Sequence, residues 1–85
     1  MMSINVETFE KELTKILNQA KELRKEYIDI TSKELHTKVG GYPGKNHVMP
    51  TCCNVMRKMM KKNDFIKNQP PKGNGASLEI RYYIE

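Results

Sequence analysis

The stretch MPTCCNVMRKMMKKN, residues 49–63, has the spacing of an amphipathic helix. Apolar residues recur every three or four positions, which places them on one side of such a helix: Cys52, Val55, Met56, Met59 and Met60. Polar and basic residues fill the other side, and we call them the basic stripe: Thr51, Asn54, Arg57, Lys58 and Lys61. Pro50 suits the first turn of a helix, where its missing N–H is no loss. The sequence therefore predicts a helix over residues 50–62 with an apolar side and a basic side.

Two helices and a short strand are predicted before this segment. Residues 6–26 repeat apolar side chains at helical spacing from Phe9 to Leu23, and Asn5 is a suitable N-cap. Residues 27–31, YIDIT, have a β-favouring composition and predict one brief strand. Thr31 and Glu34 have the spacing of a capping box, so a second helix is expected over residues 32–39, ending at the glycines that follow Val39.

The period changes to two after the basic helix. Residues 65–68 can form a strand, and the stretch QPPKGNG, residues 69–75, is rich in turn residues. Leu78, Ile80, Tyr82 and Ile84 then alternate with polar residues and with Tyr83. A β-hairpin over residues 64–84 follows from this pattern.

The predicted order is helix, strand, helix, connector, basic helix and hairpin, which is the order of a winged helix-turn-helix domain. We therefore expect a single α+β domain over residues 1–85, with three helices packed on a small antiparallel sheet and the hairpin as a C-terminal wing. In this architecture the third helix enters the major groove of DNA. The connector of about ten residues is longer than the turn of an ordinary helix-turn-helix.

The positive charge is concentrated in one part of the chain. The net charge is +5, and residues 33–75 contain nine Lys or Arg against only two acidic residues, Glu34 and Asp64. A surface of one sign attracts a polyanion such as nucleic acid. The predicted basic helix and wing carry most of these cations, whereas residues 1–32 contain six acidic and five basic residues.

Several classes of protein are disfavoured by the composition. The chain has 85 residues, 38% of them hydrophobic, and no run approaches the roughly 20 apolar residues of a membrane helix. The N-terminus lacks the pattern of a signal peptide, and the two cysteines are sequence neighbours that do not suggest a disulfide framework. These features predict a cytoplasmic, prokaryotic protein without a membrane partner.

The vicinal Cys52 and Cys53 admit three interpretations. Zinc binding would need a C-x-x-C pair, and His36 and His47 lie across a connector from each other. Nucleophilic catalysis would need an activating base, and although the nearby Lys and Arg are expected to lower the pKa of Cys53, no orienting acid accompanies His47. Packing as small buried side chains is favoured for the cysteines, and core packing is likewise favoured for the methionines. We therefore predict no metal, no cofactor, no small-molecule substrate and no catalytic residue.

Two phrases of the sequence resemble a small prokaryotic domain family of winged helix-turn-helix type. They are GGYPGKNHVMPTCCNVMRKMM, residues 40–60, and PPKGNGASLEIRYYI, residues 70–84, and the resemblance covers about residues 27–84. Relatives in this family occur alone or fused to an HNH-type nuclease. The chain has no HNH motif, so the resemblance implies the fold and no nuclease activity.

The residues together predict a non-enzymatic module that binds DNA, as a transcriptional regulator or as an accessory to a DNA-processing enzyme. Within the basic stripe, Arg57 is expected to reach base edges and Asn54 to pair with adenine, while Thr51, Lys58 and Lys61 hold phosphates. Further backbone contacts are expected from Lys45, Lys67 and Lys72. The alternative is a protein-interaction module with an exposed patch of Tyr42, Met49 and Tyr83. A P-loop is not indicated, because GGYPG lacks its Lys-Ser or Lys-Thr ending.

Overall fold

A computed structural model describes residues 5–40, 48–71 and 73–84. Within these residues the chain forms a small α+β fold of three helices and one three-stranded antiparallel sheet. The elements are α1 (Val6–Glu22), β1 (Tyr27–Thr31), α2 (Ser32–Val39), α3 (Met49–Lys58), β2 (Phe65–Asn68) and β3 (Glu79–Tyr83). The sheet order is β1-β3-β2, so the last strand lies between the other two.

Both helix starts before the connector are fixed by side chains that the sequence identifies. The Asn5 side chain accepts the Thr8 N–H at 3.1 Å, and Thr8 completes a capping box at the start of α1. The predicted capping box of α2 is confirmed, because Thr31 Oγ1 accepts the Glu34 N–H at 3.1 Å and Glu34 Oε1 accepts the Thr31 N–H at 3.1 Å. Each box satisfies two amides that the helix itself leaves unpaired.

Helix α1 is shorter than the predicted range of 6–26, and the reason is a turn that no glycine marks. The helix ends at Glu22, and Arg24 adopts φ +56°, the left-handed conformation. The Arg24 N–H then donates to the Lys21 carbonyl and the Lys25 N–H to the Ala20 carbonyl, which is the Schellman pattern of helix ends. Leu23 consequently lies outside the core with 69% of its surface exposed.

Helix α3 is also shorter than predicted, ending at Lys58 instead of residue 62. The buried Asp64 side chain accepts the Lys61 N–H and the Tyr83 N–H, each at 2.8 Å. To present these amides, the chain leaves the helix and forms a turn before β2. Lys61 therefore lies beyond the helix and not at helical spacing with the rest of the basic stripe.

The core lies between the three helices and one side of the sheet. It contains the buried apolar residues Phe9, Leu13, Ile30, Leu35, Met49, Cys52, Cys53, Val55, Met56, Leu78, Ile80 and Tyr82. Alternation along β3 buries Ile80 and Tyr82 and leaves Arg81 and Tyr83 on the outward side, as the period of two predicts. Burial of this apolar surface is the main force that holds α3 against the sheet.

Two buried polar side chains join elements across this core. His36 Nε2 accepts the Val48 N–H at 3.0 Å, so Nδ1 carries the proton and donates to the Gly40 carbonyl at 3.1 Å. The end of α2 is thereby tied to the start of α3. The Tyr82 hydroxyl donates to the Met56 carbonyl at 2.8 Å, which fixes α3 on β3.

Candidate nucleic-acid interface

Helix α3 has the two different sides that its sequence predicts. Cys52, Cys53, Val55 and Met56 are buried in the core. On the other side Asn54 and Lys58 are exposed, whereas Thr51 and Arg57 are half-buried. The helix of ten residues is about 15 Å long, enough to cross a major groove of about 12 Å.

Arg57 is turned toward the loop of the β-hairpin, whose described residues 69–71 and 73–78 we call the hairpin loop. Its Nη1 donates to Asn74 Oδ1 at 2.8 Å, and its Nη2 donates to the Gly73 carbonyl. The guanidinium therefore joins the outward side of α3 to the hairpin loop. The sequence places both elements in a wing-like order but gives no sign of this contact, since the partners are 16 and 17 residues apart.

The two lysines of the basic stripe have carboxylate partners within the chain. Lys58 Nζ lies 2.9 Å from Glu10 Oε2 on α1, and Lys61 Nζ lies 3.8 Å from Asp64 Oδ2. The lysine side chains remain exposed, at 67% for Lys58 and 43% for Lys61. The Lys58–Glu10 ion pair is exposed on its lysine side and partly exposed on its carboxylate side, and such pairs contribute only about 0–1 kcal/mol, so a polyanion can compete for the Lys58 ammonium. The Lys61 pair differs, because the Asp64 carboxylate is buried.

Lys67 belongs to a charged cluster on the outward side of the sheet. Asp29 on β1 accepts from Lys67 Nζ on β2 at 2.9 Å and from Arg81 Nε and Nη2 on β3 at 2.8 and 3.1 Å. Hydrogen bonding to Arg81, helped by Lys67, lowers the pKa of Asp29 to about 2 against the effect of burial. The Asp29 carboxylate links all three strands, and Lys67 is separated from α3 by its place in this cluster.

The remaining two predicted contacts, Lys45 and Lys72, lie outside the described residues. The structure thus places Thr51, Asn54, Arg57 and Lys58 on the outward side of α3, Lys61 in the turn that follows the helix and Lys67 on the sheet.

The two cysteine thiols are buried, as the packing interpretation predicts. Each is fully buried; Cys52 Sγ lies 3.5 Å from the Ser32 carbonyl and Cys53 Sγ 3.5 Å from the Gly75 carbonyl. Burial, with a smaller contribution from Cys53, raises the pKa of Cys52 to about 12. Burial also raises the pKa of Cys53 and outweighs the opposing effects of Ser32 and Arg57. The expected lowering of the Cys53 pKa by nearby cations is therefore wrong, because the thiol lies inside the core.

No cluster of three or more potential metal ligands occurs among the residues that the structure describes. His36 uses both ring nitrogens on backbone partners, and its ring packs edge-on against Phe9 with centroids 5.1 Å apart. Over the same residues, no helix has the length and apolar character that crossing a membrane requires.

An aromatic cluster that was not predicted from the sequence lies on the outward side of the sheet. Tyr27, on one edge strand, is 41% exposed, and Phe65, on the other, is 42% exposed. Tyr83 lies between them, with ring centroids 6.0 Å from Tyr27 and 6.4 Å from Phe65. The Arg81 guanidinium lies over the Tyr27 ring, 3.8 Å from its centroid.

The predicted patch of Tyr42, Met49 and Tyr83 is wrong in one member. Met49 is 3% exposed, because the first turn of α3 faces the core. Tyr42 lies outside the described residues, and Tyr83 belongs to the aromatic cluster of the sheet.

The residues that sequence reasoning missed are the partners of the basic stripe: Glu10, Asp64, Gly73 and Asn74. Only Asp64 gave a local signal, since Asn63-Asp64 breaks the helical pattern. Beyond the chain itself, no protein family, no curated protein and no solved structure matches this sequence.

Proposed function

We propose that the chain is a non-enzymatic winged helix-turn-helix module that binds double-stranded DNA. The order of its elements and the sheet order β1-β3-β2 support this architecture, which is also what the resemblance to the prokaryotic family implies. In it, α3 enters the major groove and the hairpin loop lies along the adjacent backbone.

One observation carries the proposal: the Arg57 side chain brings the hairpin loop to the outward side of α3. That side presents Asn54 for a base edge and Thr51 and Lys58 for phosphates, and Lys61 follows in the turn after the helix as a further phosphate contact. Because phosphate contacts release counterions, binding should weaken steeply as salt rises.

The test is a salt titration of binding to a random-sequence duplex, with two variants that have the same net charge. In the first, Lys58 and Lys61 are replaced by Gln. In the control, Lys15 and Lys21 on α1 are replaced by Gln. We expect the first variant to lose about 2 units of salt slope, at about 0.9 per phosphate contact, and the control to keep the wild-type slope.

Two results would contradict the proposal. One is a wild type that binds no duplex at low salt. The other is an equal loss in the two variants, which would mean that the overall positive charge, and not this surface, attracts the duplex.

The aromatic cluster of the sheet supports a second candidate function, a protein-interaction module. Protein interfaces are enriched in aromatic and Arg side chains, and Tyr27, Phe65 and Arg81 lie together on the outward side of the sheet.

A protein partner bound at this aromatic cluster should stay bound at high salt. Replacing Tyr27 and Phe65 by Ser should release it, whereas Ser at the exposed Val6 and Leu23 should not. Release of the partner by salt alone, with no effect of the Tyr27 and Phe65 changes, would exclude this surface.

A further inference from the structure

Arg57 uses its guanidinium on the protein itself. Two of its five N–H donors are directed at the hairpin loop, one to Asn74 Oδ1 at 2.8 Å and one to the Gly73 carbonyl. An arginine that reads guanine presents two parallel donors to the base. In this structure the two terminal nitrogens of Arg57 are each engaged by the loop instead.

The hairpin loop is a folded turn and not a free tip. The Gly73 N–H donates to the Pro70 carbonyl at 2.9 Å, and Gly73 has φ +82°, a conformation that favours glycine. Two residues further along the loop, the Gly75 carbonyl accepts a hydrogen bond from Ser32 Oγ at 2.7 Å. The base of the loop is thus held to α2, and Arg57 holds its Gly73-Asn74 part to the outward side of α3.

We propose that Arg57 is a positioning residue, which acts on DNA by fixing the hairpin loop against α3 and not by reading bases. This inference rests on the proposed function and assigns Arg57 a role different from that of Asn54 and Lys58. The physical basis is preorganisation: a loop already held in place does not have to be ordered when the duplex binds. Lys cannot replace Arg here, because a single ammonium does not reproduce the planar fork that reaches two acceptors.

The first experiment uses a double-mutant cycle of Arg57→Lys and Asn74→Ala, read as affinity for a random duplex. Arg57→Lys keeps the charge and Asn74→Ala changes none, so neither removes a cation. We expect each single variant to bind about 2- to 10-fold more weakly, and the double variant to bind no more weakly than the weaker single. Lys58→Gln is the control, whose effect should multiply with that of Arg57→Lys.

Two binding results would overturn the assignment. If Asn74→Ala binds as the wild type does while Arg57→Lys loses affinity, Arg57 contacts the duplex directly. If the two single effects multiply in the double variant, the residues do not act through one contact.

The second experiment needs no DNA and separates this inference from the proposed function. Amide hydrogen exchange at Gly73 and Leu78 reports on the folded loop, since both amides donate within it. We expect faster exchange in Arg57→Lys and Asn74→Ala, and unchanged exchange in Lys58→Gln. Unchanged exchange in all three would overturn the positioning role even if DNA binds. Failure of the wild type to bind DNA, with faster exchange in the first two, would contradict the proposed function and leave Arg57 as the residue that positions the loop.

Discussion

At the scale of single residues, Cys52 and Cys53 show how burial decides chemistry. Both thiols lie in the core, and burial raises the pKa of each. The reactive species of a cysteine is its thiolate, which a buried, protonated thiol does not supply. The most conspicuous dipeptide of the sequence is therefore part of the packing between α3, α2 and the hairpin loop.

We predict that neither cysteine reacts with a disulfide reagent such as DTNB in the native protein at pH 8. In urea both should react at the rate of an ordinary thiol, because unfolding removes the burial that raises their pKa. Absorbance of the released thiolate measures both rates. Fast labelling of one thiol in the native protein would show that the helix does not bury it.

Asp64 breaks the helical pattern of the sequence, but its contacts in the fold reach further than that signal shows. Its buried carboxylate accepts two backbone N–H groups, from Lys61 and Tyr83, and so ends α3 and positions β3. In Asp64→Asn one of these amides would face an NH₂ group. We predict a loss of about 1–3 kcal/mol in the free energy of unfolding, measured in urea. The exposed neighbour Asn63 provides the control, because Asn63→Ala should change the free energy of unfolding by less than about 0.5 kcal/mol. Equal effects of the two changes would refute the role of Asp64.

At the scale of elements, local sequence signals predict where a helix begins better than where it ends. The Thr31 and Glu34 capping box gives the start of α2 directly, because both partners lie within four residues. The end of α1 depends instead on the left-handed conformation of Arg24, a residue that does not usually mark a helix end. The end of α3 depends on Asp64, whose partner Tyr83 is 19 residues away. The candidate site follows the same rule. Helical spacing predicts which side of α3 is polar, but not that Glu10, 48 residues from Lys58, pairs with it.

The end of α1 offers a direct test of this explanation. Arg24 holds φ +56°, which is unfavourable for a residue with a Cβ and free of strain for glycine. We predict that Arg24→Gly raises the free energy of unfolding by about 0.5–1 kcal/mol, or a few degrees in Tm. Lys25→Gly, one residue later and without a positive φ, should lower it. If both glycines lower stability alike in thermal unfolding, the left-handed turn is not what ends the helix.

At the scale of the whole molecule, charges on distant elements are paired across the fold. Asp29 joins the three strands, and its pKa falls to about 2, below an ordinary value of 3.8, chiefly through hydrogen bonds from Arg81. A carboxyl with a lowered pKa stabilises the folded state above its unfolded pKa, and this stabilisation is lost as the pH falls toward the folded value.

We therefore predict that the free energy of unfolding of the wild type falls between about pH 4 and pH 2. In Asp29→Asn the fall over this pH range should be smaller, because the variant has no carboxyl to protonate at this position. At pH 7 the same variant should be less stable, since Arg81 and Lys67 lose their shared acceptor. Urea unfolding at several pH values measures both effects. The matched control is Glu7→Gln, which removes an exposed carboxylate paired with Lys11. An equal effect in the control would mean that the acid sensitivity is spread over the surface and not centred on the sheet.

The ion pair between α1 and α3 connects the electrostatics of the fold to the proposed function. Glu10 holds the Lys58 ammonium at 2.9 Å on the outward side of α3, where a phosphate is expected to bind. In Glu10→Gln the ammonium is released and one negative charge is removed from its neighbourhood, at a stability cost of no more than about 1 kcal/mol. We predict that this variant binds duplex DNA up to about fivefold more tightly at low salt, and that the gain shrinks as salt rises. Glu12→Gln removes the same charge from another side of α1 and should give a smaller gain. If Glu12→Gln tightens binding as much as Glu10→Gln, net charge alone sets the affinity and Lys58 is not a phosphate contact.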